Sequence, residues 1–392
     1  MYERGPYMMY RVISGLPQLD PLTMTVVPAT DLPKYQYVPE TTEDLDWAEL
    51  PTIDLTTFGT SSEADKKLAT NLLDAIRTKG FFYVIGYDIE QDRVDRQFAI
   101  GQKFYDLPLS EKSKYIPDLE NGEYNGYRPA GRRVTSAGLK DQVEVYNIPK
   151  FNGDYAHEHP AVVATNLKEI EVFARDLHSK VLDPLFDLVS IGLGLPRSFF
   201  RDLHKYENHS EDHLRYMKYS KYSPEDRAKV LAGDGLYSYG HTDLGSFTLL
   251  FRQPVAALQI KDHQTGEWKW AKPLDKSFTV NSCDAFSFLT GNYIKSTVHR
   301  VHLPPDDQAQ YDRLGLLYFA RPQNDLVLKT IASPVLKEAG FTQNEFEREG
   351  HPVPTMGEFV HLKQKWQQSK STDYLAKKDQ IIVPGFKGEY HH

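Results

Sequence analysis

His241, Asp243 and His299 are the residues of this chain whose types and spacing could do metal chemistry. His241 and Asp243 stand two apart in Tyr239-Gly240-His241-Thr242-Asp243-Leu244-Gly245, and residues two apart on an extended strand point to one face. An imidazole and a carboxylate can therefore converge on one ion. His299 lies 56 positions after Asp243, on another predicted strand, and can supply a third ligand. Two imidazoles and one carboxylate leave half of an octahedron open. Such a facial set suits Fe(II), which must bind a co-substrate and O2 together. Alone, the triplet is weak, because 14 histidines in 392 residues produce a His-x-Asp easily by chance. Arg313 adds to it. It follows His299 by 14 positions and enters the apolar run Leu314-Gly315-Leu316-Leu317-Tyr318-Phe319. A guanidinium in such a strand is costly unless it meets an anion. That anion could be an Asp or Glu, or a substrate carboxylate matched to the bidentate fork of arginine.

These side chains need elements to hold them. Hydrophobic residues make up 40% and charged residues 26%, enough for a full core and against a disordered chain. The net charge of −8 offers no electrostatic attraction for nucleic acid or an anionic membrane. No run approaches the roughly 20 apolar residues of a membrane span. Cys283, the single cysteine, excludes an intrachain disulfide and a Cys-rich zinc site, so an intracellular, cytoplasmic setting is expected. The first 20 residues lack the apolar core and cleavage site of a signal peptide and read as a loosely attached arm.

Residues 1–49 form a Pro-rich arm. A short strand is expected at Leu50–Leu55, a helix at Ala64–Lys79 closed by Gly80, a buried strand at Phe81–Tyr87 and a helix near Gln91–Tyr105. A long helix follows from Asn166 to about Leu193, with Pro184 a kink. From Leu214 short apolar or alternating runs separated by turns predict a sandwich or barrel, with strands at Leu214–Tyr219, Phe247–Phe251, Leu258–Asp262, Glu267–Ala271, Phe278–Asn281, Ala285–Leu289 and Leu314–Phe319. After about Val335 the pattern turns helical, including Thr355–Ser369. This divides the chain into an arm (1–49), an α/β region (50–205), a β core (206–335) and a helical tail (336–392).

The order of motifs resembles the 2-oxoglutarate and Fe(II)-dependent dioxygenase superfamily, in the branch related to isopenicillin N synthase. The likeness covers roughly residues 50–330. It rests on Leu50-Pro51-Thr52-Ile53-Asp54-Leu55, Gly80-Phe81-Phe82-Tyr83-Val84, Phe104-Tyr105-Asp106-Leu107-Pro108 and Asn125-Gly126-Tyr127. In the β region it rests on His241-Thr242-Asp243, Leu258-Gln259-Ile260, Gly266-Glu267-Trp268 and Ser296-Thr297-Val298-His299-Arg300-Val301. The resemblance implies a mostly β fold with α, a distorted double-stranded β-helix or jelly roll, flanked by N-terminal helices and a C-terminal helical lid. It implies that His241, Asp243 and His299 bind iron and that Arg313 clamps the far carboxylate of 2-oxoglutarate. Tyr219 and Arg215, which share a face of their strand, are secondary co-substrate candidates. Two departures stand out. Gly315 replaces the serine usual two places after the clamp arginine, and Met217-Lys218-Tyr219-Ser220 replaces the Asn-Tyr-Tyr-Pro of plant members. The missing hydroxyl removes one hydrogen bond of about 1 kcal/mol.

The activity implied is oxidation of an unactivated C–H bond of a small organic substrate, coupled to conversion of 2-oxoglutarate and O2 into succinate and CO2. Hydroxylation is the default, with desaturation and ring rearrangement as variants, and the nearest feel is to fungal natural-product enzymes. Substrate contacts are expected from Tyr124, Tyr127, Arg128, Phe247 and Phe319, with the helix around Phe359–Trp366 as lid. Three alternatives stay open: an iron oxidase that needs no 2-oxoglutarate, an ethylene-forming enzyme, and a jelly-roll binding module without catalysis. The oligomeric state is not legible.

Overall fold

In the computed structural model, which describes residues 32–155, 157–368 and 379–387, the strands before and after His213 join in two main sheets, and the tail expected to be helical also holds a separate strand pair, Ile381–Val383 with Phe386–Lys387. In chain order the strands are β1 Thr52–Asp54, β2 Phe81–Ile85, β3 Gly126–Arg128, β4 Val143–Pro149, β5 His213–Tyr219 and β6 Leu236–His241. They continue with β7 Phe247–Phe251, β8 Leu258–Lys261, β9 Trp268–Trp270, β10 Phe278–Ser282, β11 His299–His302 and β12 Arg313–Ala320. The large sheet runs β1-β2-β10-β7-β12-β5-β4-β3, and the small one β6-β11-β8-β9. From β5 onward the chain crosses repeatedly between the sheets, so that strands close in sequence face each other across a cavity. This is the double-stranded β-helix. The N-terminal region contributes four strands to the large sheet and so helps to build the wall of the site.

Period-two alternation assigns the two faces of each strand. On β12, Leu314, Leu316, Tyr318 and Ala320 are buried in the main core, while Arg313, Leu317 and Phe319 line the cavity. Both faces are covered, which is why the strand reads as almost continuously apolar. Helices Ser62–Thr78 and Gln91–Tyr105 and the helical run 167–192 lie on the outer side. The Tyr105 hydroxyl donates to the Tyr216 carbonyl (2.7 Å) and the Tyr216 hydroxyl to Gln97 (2.9 Å), fixing the second helix against β5. The kink expected at Pro184 is a π-helical turn at His178–Leu182, just before a proline that cannot donate to the preceding turn. Gly80 closes the first helix at a positive φ of 67°. A side chain there would collide with Thr297, on the segment that leads to His299.

Two expectations need correction. Ala285–Leu289 is part of a helix, Asp284–Leu289, and not a strand. A short apolar run carries no decisive period, and here the first amides of the helix find acceptors in the ligand loop: Asp284 N donates to the Asp243 carbonyl (2.9 Å) and Ala285 N to that of Gly245 (3.0 Å). The strand bearing His241 ends at that residue, so Asp243 sits in the following loop.

Residues 1–31 of the expected arm lie outside the described residues. From Leu32 the arm is fastened to the body. Tyr35 and Tyr37 pack on Phe98, and Ala48 N donates to the Trp270 carbonyl at 2.7 Å. No helix among the described residues is long and apolar enough to cross a membrane.

Candidate metal centre and co-substrate cavity

His241 and His299 are register partners on the neighbouring strands β6 and β11. Their rings lie 4.6 Å apart, and Asp243 reaches both from its loop. His241 Nε2 is 3.9 Å from Asp243 Oδ1, and His299 Nε2 is 3.7 Å from Oδ2. One ligand atom from each residue falls within 4.8 Å of the others, close enough to share an ion. The backbone selects the tautomers. His241 Nδ1 lies 2.9 Å from the Tyr239 carbonyl and His299 Nδ1 lies 3.1 Å from that of Thr297. Each Nδ1 therefore carries the proton and donates, which leaves both Nε2 lone pairs aimed at the same point. Burial, reinforced by the neighbouring His299, pushes the His241 pKa down to about 3, so its ring is neutral and able to ligate.

Asp243 is aimed just as firmly. Its Oδ2 accepts from Thr248 Oγ1 (2.9 Å) and Asn281 Nδ2 (3.0 Å). Burial would raise its pKa, and the hydrogen bonds from Asn281 and Thr248 oppose that and favour the ionised carboxylate. Thr248 and Asn281 were not singled out in the sequence. An amide inside the apolar strand Phe278-Thr279-Val280-Asn281 was the signal that could have found one of them.

Arg313, the first residue of β12, is 6% exposed and pairs in register with Tyr219. Its guanidinium lies 5.2 Å over the Tyr219 ring. It makes no ion pair or hydrogen bond with any described residue, and its Nε is buried without a partner. Burial lowers its pKa from the ordinary arginine value. A buried cation without a counter-ion is a place built for an anionic ligand. The expected loss at Gly315 also finds a substitute. Among the described residues the Tyr219 hydroxyl has only the Met217 thioether (3.4 Å) as acceptor, a weak partner, so it can turn to a carboxylate beside Arg313. His₂Asp suits divalent iron and the orphaned Arg313 suits a dicarboxylate.

All of these groups line one cavity of about 150 Å³ between the two sheets. Of the expected substrate contacts, Tyr124, Arg128 and Phe319 line it as well. Tyr127 and Phe247 do not. Phe247 points with Leu249 and Phe251 into the helical core, packing on Phe286 at 4.9 Å, and its neighbour Thr248 takes the cavity side. Tyr127 likewise turns away from the cavity into the core, where it is fully buried and its hydroxyl donates to Glu144, and Arg128 faces the cavity, paired with Asp141 at 2.9 Å. The helix Met356–Gln368 covers the mouth, but with Gln364, Gln367 and Gln368. Its aromatic side belongs to the core, where Phe359 packs on Phe288 at 5.1 Å. Arg215 lines the cavity four positions along β5 from Tyr219, about 13 Å at strand rise from the level of Arg313.

Comparison with known proteins agrees with this geometry. Residues 50–166 match the family model described as "non-haem dioxygenase in morphine synthesis N-terminal", and residues 203–322 match that of the 2OG-Fe(II) oxygenase superfamily. The chain belongs to the 2-oxoglutarate/Fe(II) oxygenase superfamily. A UPF0676 protein of Schizosaccharomyces pombe is 31% identical over 297 residues, covering 74% of this oxygenase and 86% of the relative. The 2-oxoglutarate-dependent dioxygenase frbH of a Dothideomycetidae species is 28% identical, covering 78% and 92%. A full-length Neurospora crassa protein, solved in complex with alpha-KG, superposes with a TM-score of 0.70 at 22% identity, covering 83% of this oxygenase and 99% of that chain, a likeness of fold. The enzyme is a non-haem dioxygenase that uses Fe(II), 2-oxoglutarate and O2.

Proposed function

We propose that this oxygenase oxidises an unactivated C–H bond of a small organic substrate, with hydroxylation as the default outcome. The observation that carries the reading is Arg313, a buried guanidinium without a counter-ion among the described residues, in the cavity where His241, Asp243 and His299 converge. Those three residues would hold the iron, and Arg313 and Tyr219 would hold the far carboxylate of 2-oxoglutarate. Fe(II) bound there with 2-oxoglutarate and O2 supplies the oxidising power. The protein supplies aim and dryness. Thr248 and Asn281 keep Asp243 from turning away, the backbone carbonyls of Tyr239 and Thr297 lock the imidazoles, and the Met356–Gln368 helix closes the mouth against water. The resemblance to fungal members supports a place in the synthesis of natural products, and the buried free thiol of Cys283 fits a reducing, cytoplasmic setting.

The experiment is turnover of a metabolite panel under O2 with succinate and product counted together. One succinate per product is the expected result. Product without succinate would instead identify an iron oxidase in which Arg313 grips the substrate. Arg313→Met should raise the 2-oxoglutarate requirement by about thirtyfold or more, the scale of breaking a buried charge pair. His241→Ala should lose iron after anaerobic purification, and an unchanged iron content would refute its role as ligand.

A further inference from the structure

Arg128, Arg133, Arg215, Arg313 and Arg321 line the cavity, whereas Asp243 is the sole carboxylate among its described lining residues. These cations are not equivalent. Arg128 is matched by buried Asp141. Arg321 has Glu211 at 3.9 Å, and its Nε is buried without a partner. Arg215 has no carboxylate of any described residue within ion-pair distance. It is nonetheless held rigidly: Nε donates to Asn147 Oδ1 at 2.7 Å, and the guanidinium lies 4.3 Å over the Phe319 ring, which itself stacks on His213 at 4.6 Å. The Arg215 Nη2 also lies 3.4 Å from His213 Nε2, a long contact, so the plane of the guanidinium is fixed and Nη1 with the remaining Nη2 proton is left to meet an anion.

Charge balance shows which ligand is missing. In the reading above, the charges of Fe(II), Asp243, Arg313 and the two carboxylates of 2-oxoglutarate cancel, and Glu211 balances Arg321. Among the described residues Arg215 is left without an acid of its own: the carboxylate that acts on it at a distance is Asp243, already counted at the metal. The co-substrate carboxylate held at Arg313 sits at another level of the sheet, since the register sets the backbones of the two arginines about 13 Å apart. The remaining walls include Phe81, Leu244, Leu250 and Phe319, which suit an apolar body.

We infer that the substrate of this oxygenase is a monocarboxylic acid with an apolar body, whose carboxylate docks on Arg215 beside Asn147 and the free Nε of Arg321. This deepens the oxygenase reading and rests on it. Anchoring at one end would fix which carbon faces the metal and would exclude neutral analogues, because an ester covers Arg215 and leaves it unpaired.

The test is a binding measurement on the full chain, loaded anaerobically with Fe(II) and 2-oxoglutarate, so that it does not depend on turnover. Benzoate, phenylacetate and hexanoate are titrated by calorimetry, each against its methyl ester. The expected result is that at least one acid binds about thirtyfold or more tightly than its ester. Arg215→Lys should keep the preference for the acid and Arg215→Gln should abolish it, with thermal melting of each variant confirming the fold. The inference is overturned if no acid exceeds its ester, or if Arg215→Gln retains the preference. It is equally overturned if Arg215→Gln weakens 2-oxoglutarate as much as Arg313→Met does, since Arg215 would then belong to the co-substrate. Absence of succinate in turnover would sink the oxygenase reading by itself and leave this comparison of acid with ester to be judged on its own result.

Discussion

Gly315 shows how far a single residue can be read. The sequence places it where the family has serine, and the structure shows what a serine would meet. A Cβ there would lie 3.3 Å from Leu317 Cδ1 and 3.6 Å from Met217 Cβ, contacts that the end of a leucine can relieve. Gly315→Ser should therefore fold, and a hydroxyl that reaches the 2-oxoglutarate carboxylate proposed at Arg313 would add about 1 kcal/mol. The expected outcome is a several-fold lower KM for 2-oxoglutarate with the melting temperature nearly unchanged. A raised KM would mean that the added side chain crowds the carboxylate. The same scale explains why Tyr127 and Phe247, expected at the substrate, do not line the cavity. Both sit one position from a residue that does face the cavity, and a one-residue step on a strand exchanges its faces.

The helix Met356–Gln368 is more than a cover at the scale of elements. Its Lys363 makes a buried ion pair with Asp284, each side chain 4% exposed, and Nζ also donates to the carbonyl (3.2 Å) and hydroxyl (3.3 Å) of Thr242. Thr242 lies between the ligands His241 and Asp243. Asp284 in turn accepts from Ser296 Oγ at 2.6 Å, three residues before His299. One pair thus joins the C-terminal helix, the short helix at Asp284 and the approaches to all three ligands. Lys363→Met should destabilise the protein by about 3–5 kcal/mol, because the Asp284 carboxylate is left buried and alone. Adding Asp284→Asn should restore most of the melting temperature. Iron affinity should stay about tenfold weakened in the double variant, since Thr242 has still lost its donor. Full recovery of iron binding, measured by anaerobic titration, would reduce the pair to a structural contact.

The fold as a whole keeps several histidines neutral by burial. Burial depresses His204 to about 3, reinforced in His241 to about 3 and in His159 to about 4 by a neighbouring histidine. In the unfolded chain these rings would titrate near 6.5. Between that value and the folded ones the unfolded state binds more protons, so stability is lost as pH falls through this window. Asp183 opposes the trend, because burial lifts it to about 6 and the folded chain holds its proton. Unfolding of the metal-free protein at pH 5 should therefore take up protons, at least about two, since burial also lowers His157, His178, His213, His263 and His302. Calorimetry in buffers of different ionisation enthalpy measures this number, and proton release would contradict the assignment.

The sequence alone determined the chemistry: the His-x-Asp triplet, the distant histidine, Arg313, and the order of helices and strands. Those features are local, set by residue type and by periods of two or 3.6. Only the tertiary structure decided which side chains meet. The Asp284–Leu289 segment became helical because its free amides found the ligand loop, a partner some forty positions away in sequence. Register between β12 and β5 separated Arg215 from Arg313, and packing left each without an ion-pair partner among the described residues. No window of sequence contains those facts, because burial and the lack of a counter-ion depend on every strand around the cavity.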